Sequence, residues 1–185
     1  MRAWFFRAAG VLAALGISYS AEPLPAAPAG FSWSRLKEIR ADILKPAGWT
    51  LSRQRKGDSE TYRLTGAPGG ESGGPALDIN WVADIPGKAK MKPSAYAAGL
   101  VSAAAENHKL LDKSSGSQGP FTTASFRFQD SGPGRDGIMV RYQFFANDRT
   151  GSLYIMAFEA PANKWANSWK TGQLLVDRVR LDPGL

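Results

Sequence analysis

His108 is the only histidine among 185 residues, so a Ser-His-Asp triad or a histidine-based metal site in this chain has to use it. It stands in Glu106-Asn107-His108-Lys109, at the carboxy-terminal end of a run that reads as a helix, where a solvent-facing imidazole interacts favourably with the helix dipole. No serine lies in a Gly-x-Ser-x-Gly elbow, which weakens the acyl-transfer reading further. The chain has no cysteine, which removes thiol catalysis, zinc thiolates, iron–sulfur ligation and a thioether-linked lipid anchor.

Carboxylates are the remaining catalytic option. Asp78, Asp84, Asp130, Asp136 and Glu159 lie on or beside expected strands, and glycoside hydrolysis needs only two such groups at a set separation. Exposed acids more often serve as solvated turn residues and salt-bridge partners, and that role is expected here. The Asp130-Ser131-Gly132-Pro133-Gly134-Arg135-Asp136 segment lacks the ligand spacing of a twelve-residue calcium loop. Gly69-Gly70-Glu71-Ser72-Gly73-Gly74 lacks the Gly-Lys-Ser/Thr ending or GxGxxG spacing of a phosphate cradle. No cofactor and no metal is called for.

A binding site is easier to assemble. If Val140, Tyr142 and Phe144 join Ala124, Phe126, Phe128, Tyr154, Met156 and Phe158 in one core, strand alternation turns Arg127, Arg141 and Gln143 to the opposite face. A helix over that face would enclose two guanidinium groups, which must then pair with an acid such as Asp78 or hold an anionic ligand. Of the six tryptophans, Trp4 precedes the domain, while Trp33, Trp81, Trp165 and Trp169 fall on apolar stripes and are expected in the core. Trp49, after a Pro-x-Gly turn, either fills a sheet edge or stays exposed, and it completes the candidate ligand-binding set.

The elements that would carry these groups begin with a leader. Arg2 and Arg7 bracket a charged start, Ala8 to Ile17 is apolar, and Ser18-Tyr19-Ser20-Ala21 supplies the small residues a signal peptidase reads. Residues 1–20 therefore read as a secretory signal peptide, too short to span a hydrocarbon core of about 30 Å. Export to a periplasmic or extracellular location follows, with cleavage near Ser20. Residues 21–30 hold three prolines and read as a tether. Residues 31–185 suffice for one domain with its own core. The formal charge is +7 from 23 basic and 16 acidic side chains; loss of Arg2 and Arg7 leaves 21 against 16, or +5. The basic residues are scattered, so nucleic acid is an unfavoured partner and an anionic membrane or cell-wall polymer a weak one.

Within the domain, Trp33, Leu36, Ile39 and Ile43 recur at helical spacing, although Trp33, Ile39, Ala41 and Ile43 also fit an extended segment; the spacing favours a short helix ended by Pro46. Gly48–Arg55 and Ser59–Thr65 read as a hairpin turned at Lys56-Gly57-Asp58. Leu77, Ile79 and Trp81 alternate with Asp78 and Asn80 as in a half-buried strand. Pro93 opens a helix through Asn107 whose Tyr96, Leu100, Val101 and Ala104 line one side. Phe121–Gln129, Gly137–Ala146 and Ser152–Glu159 are the strongest strand signals, joined by hairpin loops. A last helix from near Pro161 carries Trp165, Trp169, Leu175 or Val176, and Val179 on one stripe. The expected architecture is α+β, an αβα sandwich around a mostly antiparallel sheet of five to seven strands.

Three landmarks in order, Leu44-Lys45-Pro46-Ala47-Gly48-Trp49, Thr61-Tyr62-Arg63-Leu64 and Leu153-Tyr154-Ile155-Met156-Ala157-Phe158-Glu159-Ala160-Pro161 ahead of Trp165 and Trp169, resemble the exported relatives of the PsbP family, extrinsic photosystem II subunits whose fold is shared with the Ran-binding nuclear import factor. That resemblance implies an αβα sandwich used mainly for binding and assembly. No photosystem-binding or Ran-binding surface matches residue by residue, so neither function carries over. The expectation is an exported, non-enzymatic module that binds an envelope protein or a small or lipidic ligand. The alternatives are a small hydrolase using carboxylates or His108, and a peripheral binder of anionic membrane or cell-wall polymer.

Overall fold

The computed structural model describes residues 23–56, 59–66, 74–131 and 137–184. Among these described residues, ten strands and three α-helices follow one another as β1 (Phe31–Leu36), β2 (Ala41–Pro46), β3 (Thr50–Lys56), β4 (Ser59–Thr65), β5 (Ala76–Val82), α1 (Ile85–Ala89), α2 (Pro93–Asn107), β6 (Leu110–Gln118), β7 (Phe121–Asp130), β8 (Ile138–Asn147), β9 (Ser152–Pro161), α3 (Trp165–Arg178) and β10 (Arg180–Leu181). Seven strands form one sheet in the order β3-β4-β5-β9-β8-β7-β6, antiparallel throughout, and three form a second in the order β1-β2-β10. This is an α+β fold with a central antiparallel sheet, as the patterning predicts.

Both faces of the large sheet are covered. The α2 side buries Phe126, Phe128, Phe144 and Leu153 against Ala97 and Ile85, with Tyr96, Leu100, Val101 and Ala104 packed around them. The opposite side buries Leu64, Leu77, Ile79, Tyr154, Met156 and Phe158 against α3 and the small sheet, which contributes Leu36, Ile43 and Leu44. Each apolar side chain of this size taken fully out of water contributes about 1.5–3 kcal/mol, so burial on two faces stabilises the domain without a disulfide.

Three expectations need correction. Residues 31–46 are not a helix. They form the β1–β2 hairpin, in which Trp33 pairs with Leu44 and Arg35 with Asp42. The extended reading wins because β2 is the middle strand of its sheet, buried on both faces, so a continuous Ala41–Leu44 run satisfies it better than a one-sided stripe. The single core also divides. Val140, Tyr142 and Phe144 do pack with Ala124, Phe126 and Phe128, but Tyr154, Met156 and Phe158 face the other way, because antiparallel register pairs Phe144 with Ile155 and Phe145 with Tyr154. Lastly, Leu110–Gln118, which no alternation marks in the sequence, is the strand β6. Its Lys113-Ser114-Ser115-Gly116-Ser117 has little strand propensity, and pairing along β7 holds it extended.

The Pro/Ala-rich segment is described from Pro23 onward. There the Trp33 indole N–H donates to the Pro25 carbonyl at 2.7 Å, and Ala27 packs on the core. Gly57 and Asp58 of the first turn, the loop glycines 69–73, and Gly132–Asp136 lie outside the described residues, as does the leader with Trp4. Among the described residues no helix is long and apolar enough to cross a membrane.

Candidate functional site

His108 caps the carboxy-terminal end of α2, where its exposed ring stacks on Phe128 with centroids 4.0 Å apart. Among the described residues no group of three or more histidine or acidic side chains is placed to hold a metal ion. Of the candidate carboxylates, Asp78, Asp84 and Glu159 are engaged in structure, Asp130 is exposed at the end of β7, and Asp136 lies outside the described residues. Asp84, in a left-handed conformation, caps α1 by accepting from the Gly87 N–H at 2.9 Å. Asp78 and Glu159 share one partner, Arg63, whose two terminal nitrogens donate to one carboxylate each. Burial pushes the Asp78 carboxyl above its usual range, Arg63 pulls it down, and the Glu159 charge adds to the rise. A guanidinium held between two acids leaves no open position for a substrate bond between them.

Arg127, Arg141 and Gln143 lie on one face, the face covered by α3. Asp78 lies on the other, so it is not their partner. Asp112 on β6 is. Its Oδ1 accepts from Arg141 at 2.7 Å, and its Oδ2 stands 2.8 Å from Arg127 Nε, off the direction of that N–H bond. Arg141 also donates to Ser125 Oγ at 3.0 Å, and Ser125 meets the Ser114 hydroxyl at 2.8 Å. The two guanidiniums lie over α3 indoles, Arg127 at 5.8 Å from the Trp165 ring and Arg141 at 5.2 Å from Trp169, while the indoles stack on each other at 5.4 Å. These contacts bind α3 to β6, β7 and β8. Trp49 is part of neither group: its ring lies against Gly66, where a Cβ would come within 2.7 Å, and it packs on the core.

A different set of residues forms an open cleft of about 250 Å³ between the small sheet and the β6–β7 turn. Its wall is a ladder across three strands, since Asp42 is paired in register with Arg35 on one side and Arg180 on the other. Asp42 is 8 % exposed, and its Oδ2 accepts from Arg35 at 2.9 Å. Its Oδ1 is buried with no hydrogen-bond partner. A second pair closes the end, where Arg40 Nη1 reaches Asp182 Oδ2 at 3.4 Å. Arg40 sits at the end of the β1–β2 turn with φ of 43°, and its carbonyl accepts from the Asp182 N–H at 3.1 Å. Phe121, Phe145 and Val179 supply an apolar floor. Three guanidiniums, of Arg35, Arg40 and Arg180, and the two carboxylates line it. The sequence does not show this cleft, because the helical spacing over residues 32–44 competes with the extended one and because Arg180 lies far along the chain from Asp42.

No protein-family profile matches this chain, and no curated protein sequence matches it. Solved structures do match. The Ran-binding protein Mog1p of Saccharomyces cerevisiae superposes with a TM-score of 0.53 at 10 % identity, covering 82 % of this chain and 95 % of that one. LpqN, involved in cell envelope biogenesis of Mycobacterium tuberculosis, superposes at 0.58 and 10 % identity, covering 83 % and 91 %. The cyanobacterial PsbP, CyanoP, of Synechocystis sp. PCC 6803 superposes at 0.56 and 8 % identity, covering 88 % and 99 %. At such identities the likeness is one of fold.

Proposed function

We propose that this chain, which has the fold shared by PsbP and Mog1p, is an exported, non-enzymatic binding module of the cell envelope whose ligand site is the cleft beside the small sheet. The observation that carries the reading is the open cleft itself, in which the Arg35 and Arg40 side chains are 43 % and 55 % exposed beside the apolar floor of Phe121, Phe145 and Val179. Guanidinium groups carry more N–H donors than one carboxylate accepts, so an anionic group in the cleft can take those left over. The signal-like residues 1–20 support export, and the fold serves Ran binding in Mog1p and envelope biogenesis in LpqN. The reading is supported by the structural use of the candidate catalytic groups: Asp84 caps a helix, Asp78 and Glu159 flank Arg63, and His108 stacks on Phe128.

The test has two parts. Intact mass and fractionation should find the mature protein outside the cytoplasm, beginning at Ala21. Affinity capture with the mature protein from its own envelope fraction should recover a stoichiometric component that an Arg35→Gln/Arg40→Gln variant no longer retains. Retention unchanged by those substitutions removes the cleft from the reading. Turnover of a generic ester, phosphate or glycoside that is lost in His108→Ala, Asp78→Asn or Glu159→Gln makes the protein a hydrolase instead.

A further inference from the structure

Apart from the cleft, and sharing no residue with it, we infer a second site: Arg127, set against Arg141 on the α3 face of the large sheet, binds the carboxylate of a ligand through its terminal nitrogens. Arg127 of β7 and Arg141 of β8 stand directly opposite each other in the antiparallel register. Like charges in that position repel and weaken a sheet. A single carboxylate serves both, since Asp112 Oδ1 accepts from Arg141 at 2.7 Å and its Oδ2 stands 2.8 Å from Arg127 Nε. Among the described residues no other acid comes within ion-pair distance of either. Two cations set against one anion break the pairing rule of the sheet, and such breaks gather at functional sites.

The hydrogen bonds show which of the two is open. Arg141 is engaged at both terminal nitrogens, one donating to Asp112 and the other to Ser125. Arg127 makes no hydrogen bond to a described residue: its Nε is enclosed and off line from Asp112, and its terminal nitrogens are neither enclosed nor donating. Its side chain is 29 % exposed, against 20 % for Arg141. The N–H bonds on those terminal nitrogens match the two oxygens of a carboxylate side by side. Gln143, next on the same face of β8 and partly buried, sets an amide near them. The stacked indoles of Trp165 and Trp169 lie under the two guanidiniums and hold them in place before a ligand arrives. Charge then selects the anion. The two guanidiniums and Asp112 sum to one positive charge, which a monoanionic carboxylate neutralises, whereas a dianionic phosphate monoester overshoots it beside Asp112.

The experiment titrates the purified protein at pH 8 and fixed ionic strength with benzoate, benzyl alcohol and phenyl phosphate, whose second pKa of about 6 makes it a dianion there. NMR follows the Nε–H signals of Arg127 and Arg141 and the indole N–H signals of Trp165 and Trp169. Benzoate should shift these signals saturably, phenyl phosphate more weakly, and benzyl alcohol not at all. Arg127→Gln should weaken benzoate about tenfold or more, the fold-change of a hydrogen bond to a charged group. Lys88→Gln, which removes an exposed charge on α1, should leave its affinity unchanged. No saturable shift by about 20 mM benzoate, equal shifts from benzyl alcohol, or parent affinity in Arg127→Gln overturns the site. Tighter binding of phenyl phosphate overturns the choice of carboxylate. Should Arg127→Gln fail to fold, the comparison of benzoate with benzyl alcohol on the parent protein decides, and the cleft beside the small sheet stands or falls by its own capture experiment.

Discussion

The Tyr62 hydroxyl on β4 donates to the carboxylate of Glu38 in the β1–β2 turn, tying the small sheet to the large one. Tyr62 is 5 % exposed. Burial, and then the hydrogen bond to Glu38, push its phenol up to about 12, while the same bond holds the Glu38 carboxyl below its usual range. The folded state thus keeps the Tyr62 proton to higher pH than the unfolded chain does. Its contribution to stability is complete below pH 10 and is lost as pH rises from 10 through about 12. Tyr62→Phe should lower the denaturation midpoint at pH 8, and its difference from the parent should shrink toward pH 12. In an absorbance titration one tyrosine should ionise near pH 12, and that step should vanish in Tyr62→Phe.

Asp78 gives a pH dependence of the same sign in a lower pH range. Its pKa in the folded protein lies above the ordinary value, first through burial and then through the Glu159 charge, so the folded state binds its proton more readily than the unfolded chain. The stabilising share is present at acid pH and is lost as pH rises through the folded pKa. Asp78→Asn should therefore gain stability relative to the parent between pH 3.5 and pH 7 in paired urea titrations. A difference that moves the other way would show that Arg63 outweighs burial at this site.

Two glycines in helices should respond with opposite signs. A Cβ on Gly172 of α3 would lie 2.9 Å from the Phe158 ring, itself 1 % exposed and unable to retreat, so Gly172→Ala should cost about 1–3 kcal/mol by overpacking. Gly99 of α2 faces open space, and Gly99→Ala should add about 0.5–1 kcal/mol through helix propensity. Urea denaturation of both variants reads the pair.

Removing the acid that serves two arginines should loosen α3. Asp112→Ala leaves Arg127 and Arg141, 29 % and 20 % exposed at their side chains, without a counter-charge. A cost of about 1–2 kcal/mol is expected, below that of a fully buried pair because water reaches both groups. Urea melts with tryptophan fluorescence should register it, since the two guanidiniums lie over Trp165 and Trp169.

Much of the architecture was legible because it depends on local pattern. Leu77, Ile79 and Trp81 alternate, and β5 forms; Pro93 opens α2 and its stripe packs as spaced; Phe121 onward gives three antiparallel neighbours. The grouping of Arg127, Arg141 and Gln143 on one face also follows from alternation. What alternation left open is which apolar set lies opposite, because a sheet covered on both sides has no polar face to mark the outside. The same limit concealed β6, whose extended form comes from its neighbour, and the hairpin of residues 31–46, whose burial on two faces mimics a helical stripe.

The sequence by itself determined the order of the main elements, the alternation within each strand and the absence of thiol chemistry, since these depend on residue types and spacings a few positions apart. The tertiary structure alone decided that Arg180 comes to lie beside Asp42, that Asp112 rather than Asp78 answers the paired arginines, and that Arg63 takes both Asp78 and Glu159. Such meetings depend on strand order and register across the whole sheet, which are settled by the summed burial of two cores and by no single stretch of chain.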